Sequence, residues 1–424
     1  MMRLLLLPLL LFLAGCAPKT PQLPLSHDID AFVPQAPAPL EEEKAARLYA
    51  DLLAHRYAPW QNRELNATPE EAAWAVAHFA DKTIYGENLR PIPRERYEAW
   101  VRNARYDAFG TLRRRAVVTH PTSLRLFPTR KPIFYDPKKP GEGFPFDYNQ
   151  NSAVKALTPL IVSHLSMDGG WAFVESPFAL GWVPVRDIAY VDVQTAERLM
   201  ATPLTVLTRR RAPIYGARQH FLFYAKSATL FPTNGKTDAF RKIVVPDAGT
   251  FATGFLPKSW SARMPMPMTP ENIRCVAQTL LGEPYTWGGL LQDRDCSATT
   301  RDFFMPFGIW LPRNSKAQAK VGRVVDLHGL SPRRKERTII EKGVPFRTLL
   351  YLPGHIMLYI GHREGRAYAL HNMWGIRTKN GGRILVGQTA ITDLWIGKEI
   401  PEADKKALLI ERIESMNIVT DFSE

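Results

Sequence analysis

The sequence predicts a multidomain α+β protein: a small helical N-terminal region, two small β units and a C-terminal α+β domain. Three observations predict it. The chain has 424 residues, more than one core usually organises, so two to four domains are expected. Its periodicity changes along the way, from helical spacing near 41–115 to short β-like runs over 116–262, then to a mixture from residue 268. The hydrophobic share of 45% is ordinary for a globular chain, but the net charge of +14 is not. A surface this basic suits an anionic partner: nucleic acid, membrane head groups or an acidic polymer.

The first sixteen residues select among those partners. Arg3 starts a short basic end, Leu4 to Leu13 is apolar, and Leu13-Ala14-Gly15-Cys16 closes the run. That run is too short for a spanning helix and reads as a signal peptide, 1–15, with a lipoprotein-type cleavage site. Cys16 then becomes the lipid attachment point, and the protein is exported and anchored to a bacterial membrane, facing the periplasm in a Gram-negative host. Export argues against nucleic acid as the partner. Residues 16–40 are rich in proline and small residues, the composition of an extended tether.

From Glu41 the pattern is helical. Leu48, Leu52 and Leu53 share a face, Thr68-Pro69-Glu70-Glu71 caps a second helix bearing Trp74, and Arg94 to Phe109 makes a third. Two β units follow, 116–193 and 203–262, each opening on Arg-Arg-Arg-Ala (Arg113–Ala116, Arg209–Ala212). Strands are expected near Ser123–Phe127, Pro159–His164, Trp171–Glu175 and Gly181–Pro184, then Ala212–Tyr215, Ala228–Phe231, Arg241–Val245 and Gly254–Leu256. In size, and in the Gly181-Trp182-Val183-Pro184 ending of the first, these units resemble small barrels of the bacterial SH3 type. Arg263-Met264-Pro265-Met266-Pro267-Met268 reads as a stiff spacer.

The C-terminal domain, 268–424, carries the chemistry. A helix capped by Thr269-Pro270-Glu271 presents Ile273, Val276, Ala277, Leu280 and Leu281 on one stripe. A Gly- and aromatic-rich loop, Gly282 to Gly289, then leads through Asp295 to Cys296, which opens a helix running to about Phe307. A helix start carries partial positive charge, so a thiol there is expected to lean toward thiolate, with Asp295 as N-cap. Downstream, His355 begins an apolar strand and His371 ends the next. If Gly361–Gly365 is a five-residue turn, Ile360 pairs with Arg366 and His355 falls opposite His371, with Cβ atoms roughly 4.5–5.5 Å apart. One histidine can then serve Cys296 as base while the other orients it. Of three cysteines, Cys16 goes to lipid and Cys275, lying off its helix's apolar stripe, reads as filler, leaving Cys296 free. No Cys/His cluster has zinc spacing, so no metal and no cofactor is expected.

The residues Pro284-Tyr285-x-Trp287-Gly288-Gly289…Asp295-Cys296-Ser297, Leu311-Pro312-Arg313-Asn314-Ser315-x-x-Gln318, the His355 strand and His371 resemble the NlpC-type cell-wall cysteine peptidases, a papain-like family. The resemblance covers about 268–397. It implies a papain-like fold and hydrolysis of murein stem peptides between D-γ-glutamate and the diamino acid. Cys296 would be nucleophile, His355 base, His371 its orienter and Tyr285 an oxyanion donor. Asp295, Ser297 and Trp287 would bind substrate. Relatives with upstream SH3-like barrels tend to require a free L-alanine N-terminus, and some carry a helical clip region like 41–115. Phe146 to Ser152 and Ser166-x-Asp168-x-x-Trp171 resemble their first barrels. Two other readings stay open: a wall-binding lipoprotein whose peptidase fold is only a scaffold, and a thioester acyltransferase.

Overall fold

The computed structural model describes residues 23–62, 64–247 and 249–422, so the leader and Cys16 lie outside the described residues. It is a mixed helix-and-sheet molecule with a helical N-terminal region, an SH3-like region and a C-terminal α+β domain.

Residues 26–36 depart from the expected tether. Ser26 bridges Ile391 by two backbone hydrogen bonds of 3.0 and 2.8 Å, and Ile29, Phe32 and Val33 are buried in the core of the C-terminal domain. Prolines set the composition there, but the three large apolar side chains decide the outcome, because each gains by leaving water. Gln35 ends this arm. Its amide donates to the His362 carbonyl at 2.8 Å and accepts from the His362 N–H at 3.0 Å.

The helix Glu42–Gln61 buries Leu48 and Leu52. Thr68 and Glu71 close a capping box, but the helix they start breaks at Ala73 into Pro69–Ala72 and Trp74–Phe79. The third helix, Arg94–Ala104, ends at left-handed Arg105, short of the expected Phe109. Ala75, Phe79 and Tyr97 pack on Leu126, Phe127 and Ile133, seating the helices on the first β unit.

Neither β unit is a closed barrel. The first is a seven-stranded sheet with Gln150–Val154 at one edge and Ile188–Tyr190 at the other. Closure would pair those edges. Instead the Gln150–Val154 edge meets the Gly288-Gly289 loop of the C-terminal domain, where the Gln150 side chain donates to the Gly288 carbonyl at 3.2 Å. The second unit is a five-stranded sheet plus a separate hairpin, Arg211–Tyr215 with Phe221–Lys226. The methionine–proline run after it is more than a spacer. Met264, Met266 and Met268 turn inward and are buried, joining the C-terminal core.

That domain packs the helices Pro270–Leu280 and Cys296–Phe304 on a six-stranded antiparallel sheet. The sheet order is Arg323–Asp326, Ser415–Ile418, Thr348–Leu352, His355–Arg363, Arg366–Arg377, Arg383–Asp393. Ile273, Val276 and Leu280 from one helix and Phe303 and Phe304 from the other meet Leu349, Ile356, Leu358 and Ile360 of the sheet. The helix that begins at Cys296 is thereby laid across the strand that begins at His355.

Candidate active site

Asp295 caps the nucleophile helix, its Oδ1 accepting from the Ala298 N–H at 2.8 Å. Cys296 is therefore the first helical residue, and its sulfur faces the N–H of Ile356, the residue after His355. The loop before it is bent by Gly288 (φ 62°) and Gly289 (φ 73°). A Cβ on Gly288 would stand 2.5 Å from the Gln150 carbonyl oxygen, so only glycine permits this approach to the first β unit.

The histidines meet by a different register from the one expected. The turn is only Glu364-Gly365, with Arg363 opposite Arg366. A bulge between Tyr359 and Gly361 then shifts the ladder by one, giving Tyr359 opposite Ala369 and Leu358 opposite Leu370. Continuing that count puts His355 opposite Met373, and the two histidines become diagonal neighbours. The expected register was off by two residues, an even number, so both rings still share a face. Without the extra residue in the bulge the offset would be odd and the rings would lie on opposite faces. His355 Nε2 is 2.9 Å from His371 Nδ1, and His371 Nε2 is 2.9 Å from Thr392 Oγ1. This chain leaves His355 Nδ1 as the nitrogen available to a neighbour. For Nδ1 to be basic, His355 Nε2–H must donate to His371 and His371 Nε2–H to Thr392.

The charge state differs from the expected thiolate. Burial, then the adjacent Asp295 carboxylate, push Cys296 up to about 12, outweighing the N–H groups of Ile356 and Ser297 and the charge of Arg313. Burial, then Arg412, bring His355 down to about 4. Burial and His355 hold His371 well below the usual histidine range. The site therefore rests as thiol and neutral imidazole. The helix start is real, but desolvation of the sulfur is the larger effect.

Of the other expected residues, Tyr285 is near the thiol: burial, followed by Cys296 and Asp295, raises its phenol well above its ordinary value. Trp287 is 38% exposed and stands by the first β unit, 5.4 Å from Tyr148 and 6.1 Å from Phe146 between ring centroids. Asp295 and Ser297 share one partner not assigned a role from sequence. Arg313 Nη2 donates to Asp295 Oδ2 at 2.6 Å and Nη1 to Ser297 Oγ at 2.9 Å, while Nε reaches Ser152 of the first β unit at 2.7 Å. Burial alone would raise Asp295, but Arg313 pulls it below the carboxylate range. Asn372, also missed, ties the Pro284 and Arg294 carbonyls at 3.2 Å each and so holds the Tyr285 loop beside His371. Arg313 lies within the Leu-Pro-Arg motif and Asn372 follows His371, so both had a positional signal. Thr392 had none. Cys275 and Cys296 are both free thiols. Among the described residues no cluster of His, Cys, Asp or Glu is arranged to hold a metal.

Comparison with known proteins matches this architecture. Residues 4–109 match the NLPC_P60 stabilising domain, N term; residues 132–184 match the SH3 domain (SH3b1 type); residues 282–378 match the NlpC/P60 family. No curated protein matches the chain. Among solved structures, an NlpC/P60 endopeptidase from Photobacterium damselae subsp. piscicida superposes with TM-score 0.86 at 23% identity, over 96% of this chain and 99% of that one. An NlpC/P60 family protein from Bacillus cereus gives TM-score 0.45 at 19% identity, over 63% and 81%. The first of these shows the same fold from end to end. The segment holding Cys296, His355 and His371 lies wholly inside the matched 282–378, so the chain carries an NlpC/P60 domain, which supports a cell-wall peptidase of the cysteine type.

Proposed function

We propose that this protein hydrolyses the amide bond between D-γ-glutamate and the diamino acid of murein stem peptides through a Cys296 thioester. The observation that carries the chemistry is the Thr392–His371–His355 chain, which ends beside the first residue of the nucleophile helix. His355 Nδ1 takes the Cys296 thiol proton as sulfur attacks the carbonyl carbon. The Cys296 backbone N–H and the Tyr285 hydroxyl stabilise the oxyanion. The C–N bond then breaks, and His355 returns its proton to the leaving amine. Water, deprotonated by His355, cleaves the thioester to a carboxylate and the thiol. His371 holds the ring without moving off its partners.

Preference for a free N-terminal L-alanine rests on the wall that the first β unit adds. Phe146 and Tyr148 crowd Trp287 and Tyr285. Beside them Glu142 accepts from the Tyr148 hydroxyl at 3.0 Å, and among the described residues no cation pairs with it. A partly buried carboxylate that feels Lys139 only at a distance suits a substrate ammonium. Asp295 and Ser297 border the acyl side, with Arg313 keeping Asp295 ionised, and Trp287 covers the peptide. We also propose that Cys16 bears lipid and places the enzyme on the outer surface of a bacterial membrane, its basic charge suiting anionic wall material. Fractionation of a Cys16→Ser variant, expected to leave the membrane fraction, tests that part.

The central test incubates the protein with L-Ala-γ-D-Glu-diaminopimelate, free or acetylated at its amine, and follows diaminopimelate by mass spectrometry against Cys296→Ala. Release from the free peptide alone is the expected result. Release from both would remove the amine preference. A new amide or ester in place of the carboxylate would mean acyl transfer, and no reaction with Cys296 still alkylatable would mean a binding scaffold.

A further inference from the structure

A second site lies away from the thiol. A cavity of about 100 Å³ opens where the helical region, both β units and the peptidase domain meet, and its lining includes none of Cys296, His355 or Tyr285. Arg56, Lys155, Lys226 and Arg301 line it, along with Arg294 and Arg313, against only two carboxylates, Asp293 and Asp302. Most of these charges are neutralised locally. Arg294 and Lys155 share Asp302, Lys226 meets Asp293 and Glu283, and Arg313 meets Asp295.

Arg56 and Arg301 are the exceptions: Arg56 Nη2 donates to the Leu157 carbonyl at 2.7 Å, and Arg301 has less. Among the described residues the Arg301 side chain makes no ion pair and no hydrogen bond, and its buried Nε has no partner; its guanidinium only stacks on Phe178, 3.9 Å from the ring centroid. The buried Nε of Arg56, on the same cavity, also lacks a partner. Burial and neighbouring Arg313 bring Arg301 down to about 10, and burial brings Lys155 down to about 8 although Asp302 touches it. Arg301 is only partly buried as a residue, but its Nε donor is withdrawn from water without a partner, and an unpaired buried donor often marks an ion site.

We propose that this cavity binds one small oxyanion, a phosphate or a carboxylate, on the Arg301 guanidinium, with Arg56 and Lys155 as its cationic neighbours. The planar fork of arginine matches two oxygens of such a group. The lining comes from all four regions, and Arg301 belongs to the helix that starts at Cys296. Occupancy would therefore fasten that helix to the β units.

The test needs no substrate, so it stands whatever the peptidase cleaves. The full chain is melted in rising inorganic phosphate or acetate at ionic strength held constant with sodium chloride, and titrated calorimetrically with each. The expected result is a saturable rise in Tm of about 2–4 °C with one site per chain. A response to phosphate only, or acetate only, identifies the oxyanion class, and a response to both means a general oxyanion site. Arg301→Met should melt higher than the parent without anion, because a buried unpaired donor is gone, and should lose the response. Arg301→Lys, which keeps the charge but not the fork, should bind at least tenfold more weakly. Equal shifts in the chloride control, or an undiminished response in Arg301→Lys or Arg301→Met, would overturn the proposal.

Discussion

At the scale of single residues, the site is governed by burial. His355 is neutral far below the ordinary histidine range, so the acid limb of kcat/KM should fall near pH 4 rather than 6.5, with the thiol limb far into the alkaline range. The same shift is a stability term. A histidine whose folded pKa is depressed adds stability that is complete above 6.5 and is lost as pH falls through 4, here up to roughly 3 kcal/mol. Urea unfolding at pH 7 and 4.5 should show that loss, and His355→Gln should flatten it. Arg313 gives a second expectation. Arg313→Met leaves Asp295 buried without its cation and should cost about 3–5 kcal/mol with loss of activity, read by thermal melting and peptide release. Arg313→Lys should not restore both, since one ammonium cannot span Asp295, Ser297 and Ser152. Cys296 and His355 stood out because each sits at a marked place, a helix start and a strand start, whereas His371 lies mid-strand in Arg366–Arg377 and not at the strand end expected. Arg313 was visible only as part of a motif, since its partners come from separate segments, and its charge-keeping role appears only when they are folded together.

At the scale of elements, local signals carried well and register did not. The caps Thr269 and Asp295 mark helices that begin where they say, because the side chain satisfies a nearby N–H. The β hairpin was misjudged because two glycines, Gly361 and Gly365, both look like turn residues, and only Gly365 is in the turn. Gly361 (φ 128°) instead adjoins the bulge. The strand Ser415–Ile418 was missed altogether: Met416, Asn417 and Ile418 are all buried, so no alternation advertises it. Gln35 supports the bulge from outside, standing in for the strand that Thr348–Leu352 no longer provides beyond Tyr359. Gln35→Ala should cost about 1–2 kcal/mol in urea and speed exchange of the His362 amide, with little change at Leu358.

At the scale of the whole molecule, the domains are joined by charge as much as by apolar contact. Glu283, 4% exposed, takes Lys226 at 2.7 Å, Arg294 at 2.8 Å and Arg210 at 3.4 Å, and so ties the second β unit to the loop before Cys296. Glu283→Gln should leave those cations under-compensated and cost about 3 kcal/mol or more, read as a lower Tm and earlier proteolysis between the units. Composition foretold several domains but not their closeness, because contacts between distant segments leave no local pattern. The misread tether shows what this means in length. Only ten residue steps separate Cys16 from Ser26, where the chain is already part of the peptidase core. Fully extended, that leash reaches at most about 35 Å. A lipid at Cys16 would thus moor the active site close above the bilayer, in reach of fragments that drift to it and out of reach of any wall fixed farther away.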